Sequence, residues 1–169
     1  MMKRSNAFSI IITGILTLGC ILSHSCEKSD NGGNGDQKNH HMTAKVDGQA
    51  FVASEDQLAA VHQDGYLFIS GATENEEKII TFQFFDFPGQ ASTYIIGNNE
   101  YETHCFYSDE TVSFFIFDDD PESNGTIIIT DLSSSSVRGT FNFTGVTVNG
   151  EATVQVTDGS FFIPIYNTP

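Results

Sequence analysis

The sequence contains no tryptophan among its 169 residues, and only three cysteines, three methionines and four prolines. Without tryptophan the commonest platform for stacking sugars is missing, although five tyrosines remain. Three cysteines with no C-x-x-C spacing build neither a disulfide framework nor a thiolate zinc site. Basic residues are scarce: seven lysines and arginines stand against 22 aspartates and glutamates, for a net charge of −15. A chain of that sign repels phosphate backbones and anionic headgroups, so nucleic acid is not an expected partner and charge does not hold the protein to a membrane. Catalytic signatures are missing as well. There is no G-x-S-x-G and no H-E-x-x-H, and His40, His41 and Met42 form a soft-ligand group in a segment that nothing pre-organises. Adjacent His104 and Cys105 point to opposite faces of any strand, so they make neither a dyad nor a metal site. The chain is therefore expected not to be an enzyme and to carry no cofactor.

Long hydrophobic runs are also missing. The longest uncharged, largely apolar stretch, Ala7 to Leu22, is about 16 residues, short of the roughly 20 that a spanning helix needs. Lys3 and Arg4 precede it, and small residues with a cysteine close it, which is a secretory signal layout. A cysteine so placed resembles the lipobox of bacterial lipoproteins, in which that residue is diacylated and becomes the mature N-terminus. Two cysteines compete within "LTLGCILSHSCEKSD". Cys20 follows Leu18 and Gly19, but cleavage there leaves Ile21 and Leu22 directly after the lipid. Cys26 follows Ser25 and precedes Glu27, Lys28, Ser29 and Asp30, which suits a tether leaving a membrane surface. Lipidation is assigned to Cys26, with Cys20 as the alternative. Losing Lys3 and Arg4 with the signal moves the net charge from −15 to −17; with Cys26 as the anchor Cys105 has no intramolecular partner, whereas with Cys20 as the anchor a Cys26–Cys105 pairing stays open.

These features divide the chain into a signal peptide (1–25), a flexible tether (26–41) and one β domain (42–169). The tether is rich in Gly, Asn and Asp, with nothing apolar to bury. The domain is punctuated by Asp47-Gly48, Asp64-Gly65, Asn149-Gly150 and Asp158-Gly159, each read as a type I′ hairpin turn between apolar stretches. "KIITFQFF", "TVSFFIF", "GTIIIT", "VRGTFNF" and "ATVQVT" are rich in β-branched and aromatic residues, and no amphipathic helical stretch of useful length occurs. "SEDQLAAVH" offers a capping box from Ser54 to Gln57, but the turn and strand that follow favour a hairpin strand. The expected fold is an all-β antiparallel meander, forming a β-sandwich or a flattened barrel with mainly up-and-down connections.

Two constellations are candidate sites. Phe82 and Phe84 load one face of a strand while Phe85 and Phe87 load the other, and "FFIF" at 114–117 repeats the pattern. Such strands are central strands covered on both faces, or they expose an aromatic groove; the candidate groove residues are Phe85, Phe87, Tyr101 and Tyr107. The second is "DDDPESNG", where Asp118, Asp120, Glu122 and Asn124 alternate as oxygen ligands ahead of Gly125. An EF-hand count fails because its closing position is Ile129, so a calcium site here is of a non-EF type and secondary to an acidic loop that discourages edge pairing.

"MTAKVDGQAFVA", "GTIIITD", "VRGTFNFTG" and "VTVNGEATVQVTDGSF" together resemble a family of Bacteroidetes lipoproteins carrying a domain of unknown function. The likeness covers most of residues 42–163 and is most specific at Gly139–Phe143 and Asp158–Phe161. It supports Cys26 as the lipidated residue and carries no catalytic residues over. "TENEEK" and "DDDPESNG" depart from the family pattern, as variable loops do. The resemblance implies a lipid-anchored protein of the bacterial outer membrane, facing the periplasm or the cell surface. Its role would be a non-catalytic binding or accessory module for an unknown envelope protein or ligand. The competing expectation is a structural or assembly lipoprotein with no ligand groove, in which every aromatic is buried.

Overall fold

The computed structural model describes residues 39–97, 103–116 and 122–166. Among them there is no α-helix, and eleven strands follow in order: β1 (His41–Val46), β2 (Gln49–Val52), β3 (Leu58–Gln63), β4 (Tyr66–Ala72), β5 (Ile79–Phe84), β6 (Thr93–Ile96), β7 (Thr103–Ser108), β8 (Ser113–Phe115), β9 (Asn124–Leu132), β10 (Ser136–Val146) and β11 (Thr153–Pro164). Every strand ladder is antiparallel. One edge of β10 is shared. Residues 137–144 pair with β9, and Val146 alone pairs with Phe115 of β8. The sheet folds over at that corner, giving a first layer β2-β1-β11-β10-β9-β6 and a second layer β3-β4-β5-β7-β8. At the opposite corner Ile165 bridges Ala60 of β3, and the Tyr166 amide donates to the Ala60 carbonyl at 2.9 Å. The expected all-β sandwich or flattened barrel is what forms.

The connections follow the expected meander only in part. β3-β4-β5 and β9-β10-β11 are meanders, but β6 leaves the second layer after β5 to pair with β9, and the chain then returns to β7. β1 opens at His41, one residue inside the stretch assigned to the tether, because His41 pairs with Phe162. "SEDQLAAVH" divides between its two readings: a 3-10 turn over Glu55–Gln57 leads into β3, and the Ser54 side chain caps nothing.

Two of the four Asp/Asn-Gly pairs are the tight hairpins expected. Asp47 and Gly48 have φ of 48° and 80°, and Asp64 and Gly65 have 48° and 79°, so both central residues are left-handed as a type I′ turn requires. At Asn149-Gly150 only the glycine is left-handed, and the loop is wider, closed by Thr147 and Ala152. Asp158-Gly159 is no turn. It lies inside β11, where residues 157–160 span what Lys45 to Thr43 span on one neighbour, and 156–159 span what Phe143 to Phe141 span on the other. This is a bulge of one extra residue, with Asp158 at φ 52°. It switches the inward set from Val154 and Val156 to Gly159, Phe161 and Ile163, so both halves of a twelve-residue strand feed one core. Gly159 is needed for close approach: a Cβ there would lie 2.5 Å from the ring of Phe141.

The core lies between the layers. Phe82 of β5 meets Phe141 and Phe143 of β10 with ring centroids at 5.0 and 6.0 Å, and Phe84 meets Tyr94 of β6 at 5.3 Å. Each fully buried phenylalanine contributes about 1.5–3 kcal/mol relative to an exposed one. Tyr94 also donates its hydroxyl to the Gln90 carbonyl at 2.6 Å, so its one polar group is satisfied.

Candidate functional site

Strand alternation gives each layer an inner and an outer face, and the two outer faces differ. On the first layer the outward residues are mixed: hydroxylic Thr43, Thr126, Thr130, Thr140 and Ser160 stand among charged and amide side chains and the exposed aliphatic Val52, Ile95 and Ile128. Thr43 and Ser160 share a hydrogen bond at 3.1 Å across the β1–β11 pair. On the second layer the register sets aromatic rings among small and polar residues. Val61, Phe68, Gln83 and His104 form one cross-strand row, and Ala59, Ser70, Thr81, Phe106 and Phe115 form the next. Tyr66 and Phe85 extend the surface beyond the first row. Phe85 sits with its ring centroid 5.4 Å from Tyr66 and 5.1 Å from His104, and Phe106 lies 6.0 Å from Phe115.

These rings are all half-buried. Ser70 and Thr81 join hydroxyls at 2.9 Å between the aromatic groups, leaving Thr81 only 3% exposed although it points outward. Burial pushes the Tyr66 phenol upward, so the face carries no charge from that group. Its ends are acidic. Asp64 and Asp86 stand at one end, where the Phe87 amide donates to the Gly65 carbonyl at 2.6 Å and ties the two turns together. At the other end are the β4–β5 loop with Glu74, Glu76 and Glu77 and the β7–β8 loop with Asp109 and Glu110.

Of the sequence-derived groove residues that are described, Phe85 alone lies on this face. Phe87 follows β5 and turns into the core at 5% exposure against Phe84, and Tyr107 points inward at 3% exposure, stacked on Phe114. Tyr101 falls outside the described residues. The face's other rings, Tyr66, Phe68, Phe106 and Phe115, escaped sequence reasoning. Their signal was present in "YLFIS" and "HCFYS", whose odd and even positions are both apolar, but which set faces outward depends on pairing.

The calcium candidates do not assemble among the described residues. Asp118 and Asp120 lie outside them, Glu122 is in a turn, and Asn124 opens β9 opposite Thr144. Gly125 packs against the core, since a Cβ there would stand 2.7 Å from that of Phe143. No group of three His, Cys, Asp or Glu side chains is placed to share a metal ion among the described residues. Cys20 and Cys26 lie outside these residues as well. Cys105 is buried on the inner face of β7, and burial pushes its thiol well up, while His104 points outward. That places a nucleophile and a base on opposite sides of one strand. Asp109 is held below the usual carboxylate range by hydrogen bonds from the Thr111 amide and hydroxyl and from the Val112 amide. It fastens its own loop.

A depression of about 630 Å³ lies on the first layer's outer face and is lined by His41, Thr130, Arg138, Thr140 and Ser160 with Phe162. Arg138 lies flat over Phe162, its guanidinium carbon 4.3 Å from the ring centroid, and His40 approaches the same ring at 5.0 Å. Phe162 is thereby covered to 6% exposure although it points away from the core.

No helix among the described residues is long and apolar enough to cross a membrane. No curated protein and no solved structure matches the chain. Residues 38–164, which contain both layers and the bulge of β11, match the family model described as Domain of unknown function (DUF6252), and the chain belongs to that family.

Proposed function

We propose that the protein is a lipid-anchored lipoprotein of the bacterial outer membrane, attached through Cys26. Its β domain is a non-catalytic binding or accessory module facing the periplasm or the cell surface. The anchor is supported by the Ala7–Leu22 run, the cysteine that follows it and the polar stretch beyond. The binding role rests on one observation: the second layer turns half-buried rings outward in two groups, Phe85 with Tyr66 and Phe106 with Phe115, on one sheet face. A structural lipoprotein without a groove has no need of them, since singly scattered apolar residues are ordinary on a surface but rings grouped on one face mark an interaction site.

The test has two arms on the protein from native envelopes. Mass spectrometry of the mature N-terminus is expected to find a diacylated Cys26; a chain beginning at Cys20 with an unmodified Cys26 contradicts the anchor. Crosslinked partners are expected with the wild-type chain and lost with Phe85→Ser plus Phe106→Ser in a variant that still melts cooperatively. Partners retained by that variant contradict the binding face.

A further inference from the structure

From the charge around the aromatic face we infer the chemistry of its occupant: an apolar polypeptide segment flanked by lysine or arginine, from a different protein. This inference rests on the binding-module reading above. The face spans five strands, about 19 Å across at the usual strand spacing, and six or seven residues, about 20 Å along the strands. That is roughly 400 Å², about half of the ~800 Å² per partner of a stable protein–protein interface. The size suits a short segment better than a second copy of the chain.

Charge separates the remaining occupants. Along residues 54–116 the described carboxylates are Glu55, Asp56, Asp64, Glu74, Glu76, Glu77, Asp86, Asp109 and Glu110, with Lys78 the one basic residue among those described. Lys78 already spends part of its field on Asp109. Between the two acidic ends the face presents neutral Ser70, Thr81 and Gln83 among its rings. Screening reaches about 8 Å at physiological ionic strength, and the ends are about 20 Å apart. Each end therefore acts on the termini of a bound segment, while its middle meets rings, Ser70, Thr81, Gln83 and the imidazole of His104. A second copy would bring like charge against like, and so would an anionic lipid surface. An apolar segment with basic flanks satisfies both the centre and the rim, and charge steering would raise its rate of encounter.

The test uses the full purified chain and two synthetic peptides, one alternating leucine and lysine, the other leucine and glutamate. Binding is followed by fluorescence anisotropy and located by amide chemical-shift changes. The lysine peptide is expected to shift the amides of Phe68, Gln83, His104 and Phe106 and to bind more weakly as salt rises. Asp64→Asn plus Asp86→Asn is expected to weaken it about fivefold, the scale of two exposed ion pairs. Asp131→Asn plus Glu151→Gln, an equal charge change on the first layer, is expected to alter it less than about twofold. Equal loss from both double variants means diffuse attraction to an acidic protein and overturns the inference. Equal binding of both peptides at the face overturns the basic partner while leaving the binding module standing. Failure of both peptides to shift those amides overturns both. Concentration-dependent self-association that moves the same amides, or their response to phosphatidylglycerol vesicles instead, assigns the face to another occupant and also overturns the inference.

Discussion

The two layers solve the same inner problem and differ on the outside. Inward, each offers alternating phenylalanine, isoleucine and valine, and the rings of Phe82, Phe84, Phe141 and Tyr94 meet across the middle. Outward, the first layer mixes threonine and serine with scattered aliphatic residues such as Ile95 and Ile128, whereas the second sets phenylalanine and tyrosine rings among Ser70, Thr81, Gln83 and His104. Packing requires only the inner pattern. What a sheet carries on its outer face is therefore free to report something other than folding, and the aromatic outer face of the second layer is where this molecule departs from what stability asks of it.

The largest contrast lies within β7, between neighbours on opposite faces. Alkylation of the native chain, read by peptide mapping, is expected to be slower at Cys105 than in the unfolded chain by about a thousandfold or more, because the thiol is sealed and its pKa raised. Diethylpyrocarbonate is expected to modify His104 readily. Rapid labelling of Cys105 would place the inner face of β7 in solvent and break the comparison.

Phe84 and Phe85 give the same contrast in stability. Phe84 is fully buried, so Phe84→Ala is expected to cost about 3–5 kcal/mol in denaturant unfolding. Phe85→Ala, which removes a half-buried ring beside Tyr66 and His104, is expected to cost about 1 kcal/mol or less. Similar costs would mean that the outer face is structural.

Gly159→Ala comes next, at about 1–3 kcal/mol, since the new methyl must displace the ring of Phe141. A neutral result would remove the close approach that the bulge of β11 serves. Asp109→Asn belongs to the acidic rim and is expected to cost about 1 kcal/mol or less, the scale of local hydrogen bonds at a half-buried group on a surface loop. Its folded pKa is lowered, so the stabilisation is present above the ordinary carboxylate range and disappears as pH falls through the lowered value. The stability difference between wild type and variant should therefore shrink on acidification; a difference that grows would reverse the assignment. Smallest of all is Thr140→Ala on the first layer, expected to leave both stability and peptide binding within error.

The all-β class was legible from β-branched runs and turn residues, and so were the hairpins at Asp47-Gly48 and Asp64-Gly65. The Asp158-Gly159 misreading has a physical cause. Aspartate and glycine accept left-handed backbone equally in a hairpin and in a bulge, and only two-sided pairing by β1 and β10 turns the first into the second. The site was half legible for a related reason. Doubly apolar strands announced that a second face existed, but which rings occupy it depends on parity, and parity depends on register. Phe85 kept its alternation and lies outside; Phe87 lies past the strand end, where alternation no longer holds, and turns in. Tyr107 shares parity with Cys105 and so points inward, leaving Phe106 on the outer face.

The most direct test of the central claim is photocrosslinking in the native envelope, with a benzoylphenylalanine placed at position 85 on the second layer or at position 142 on the first. The account predicts a discrete partner adduct from position 85 and none from position 142. An adduct from position 142 alone, or identical patterns from both, would contradict it.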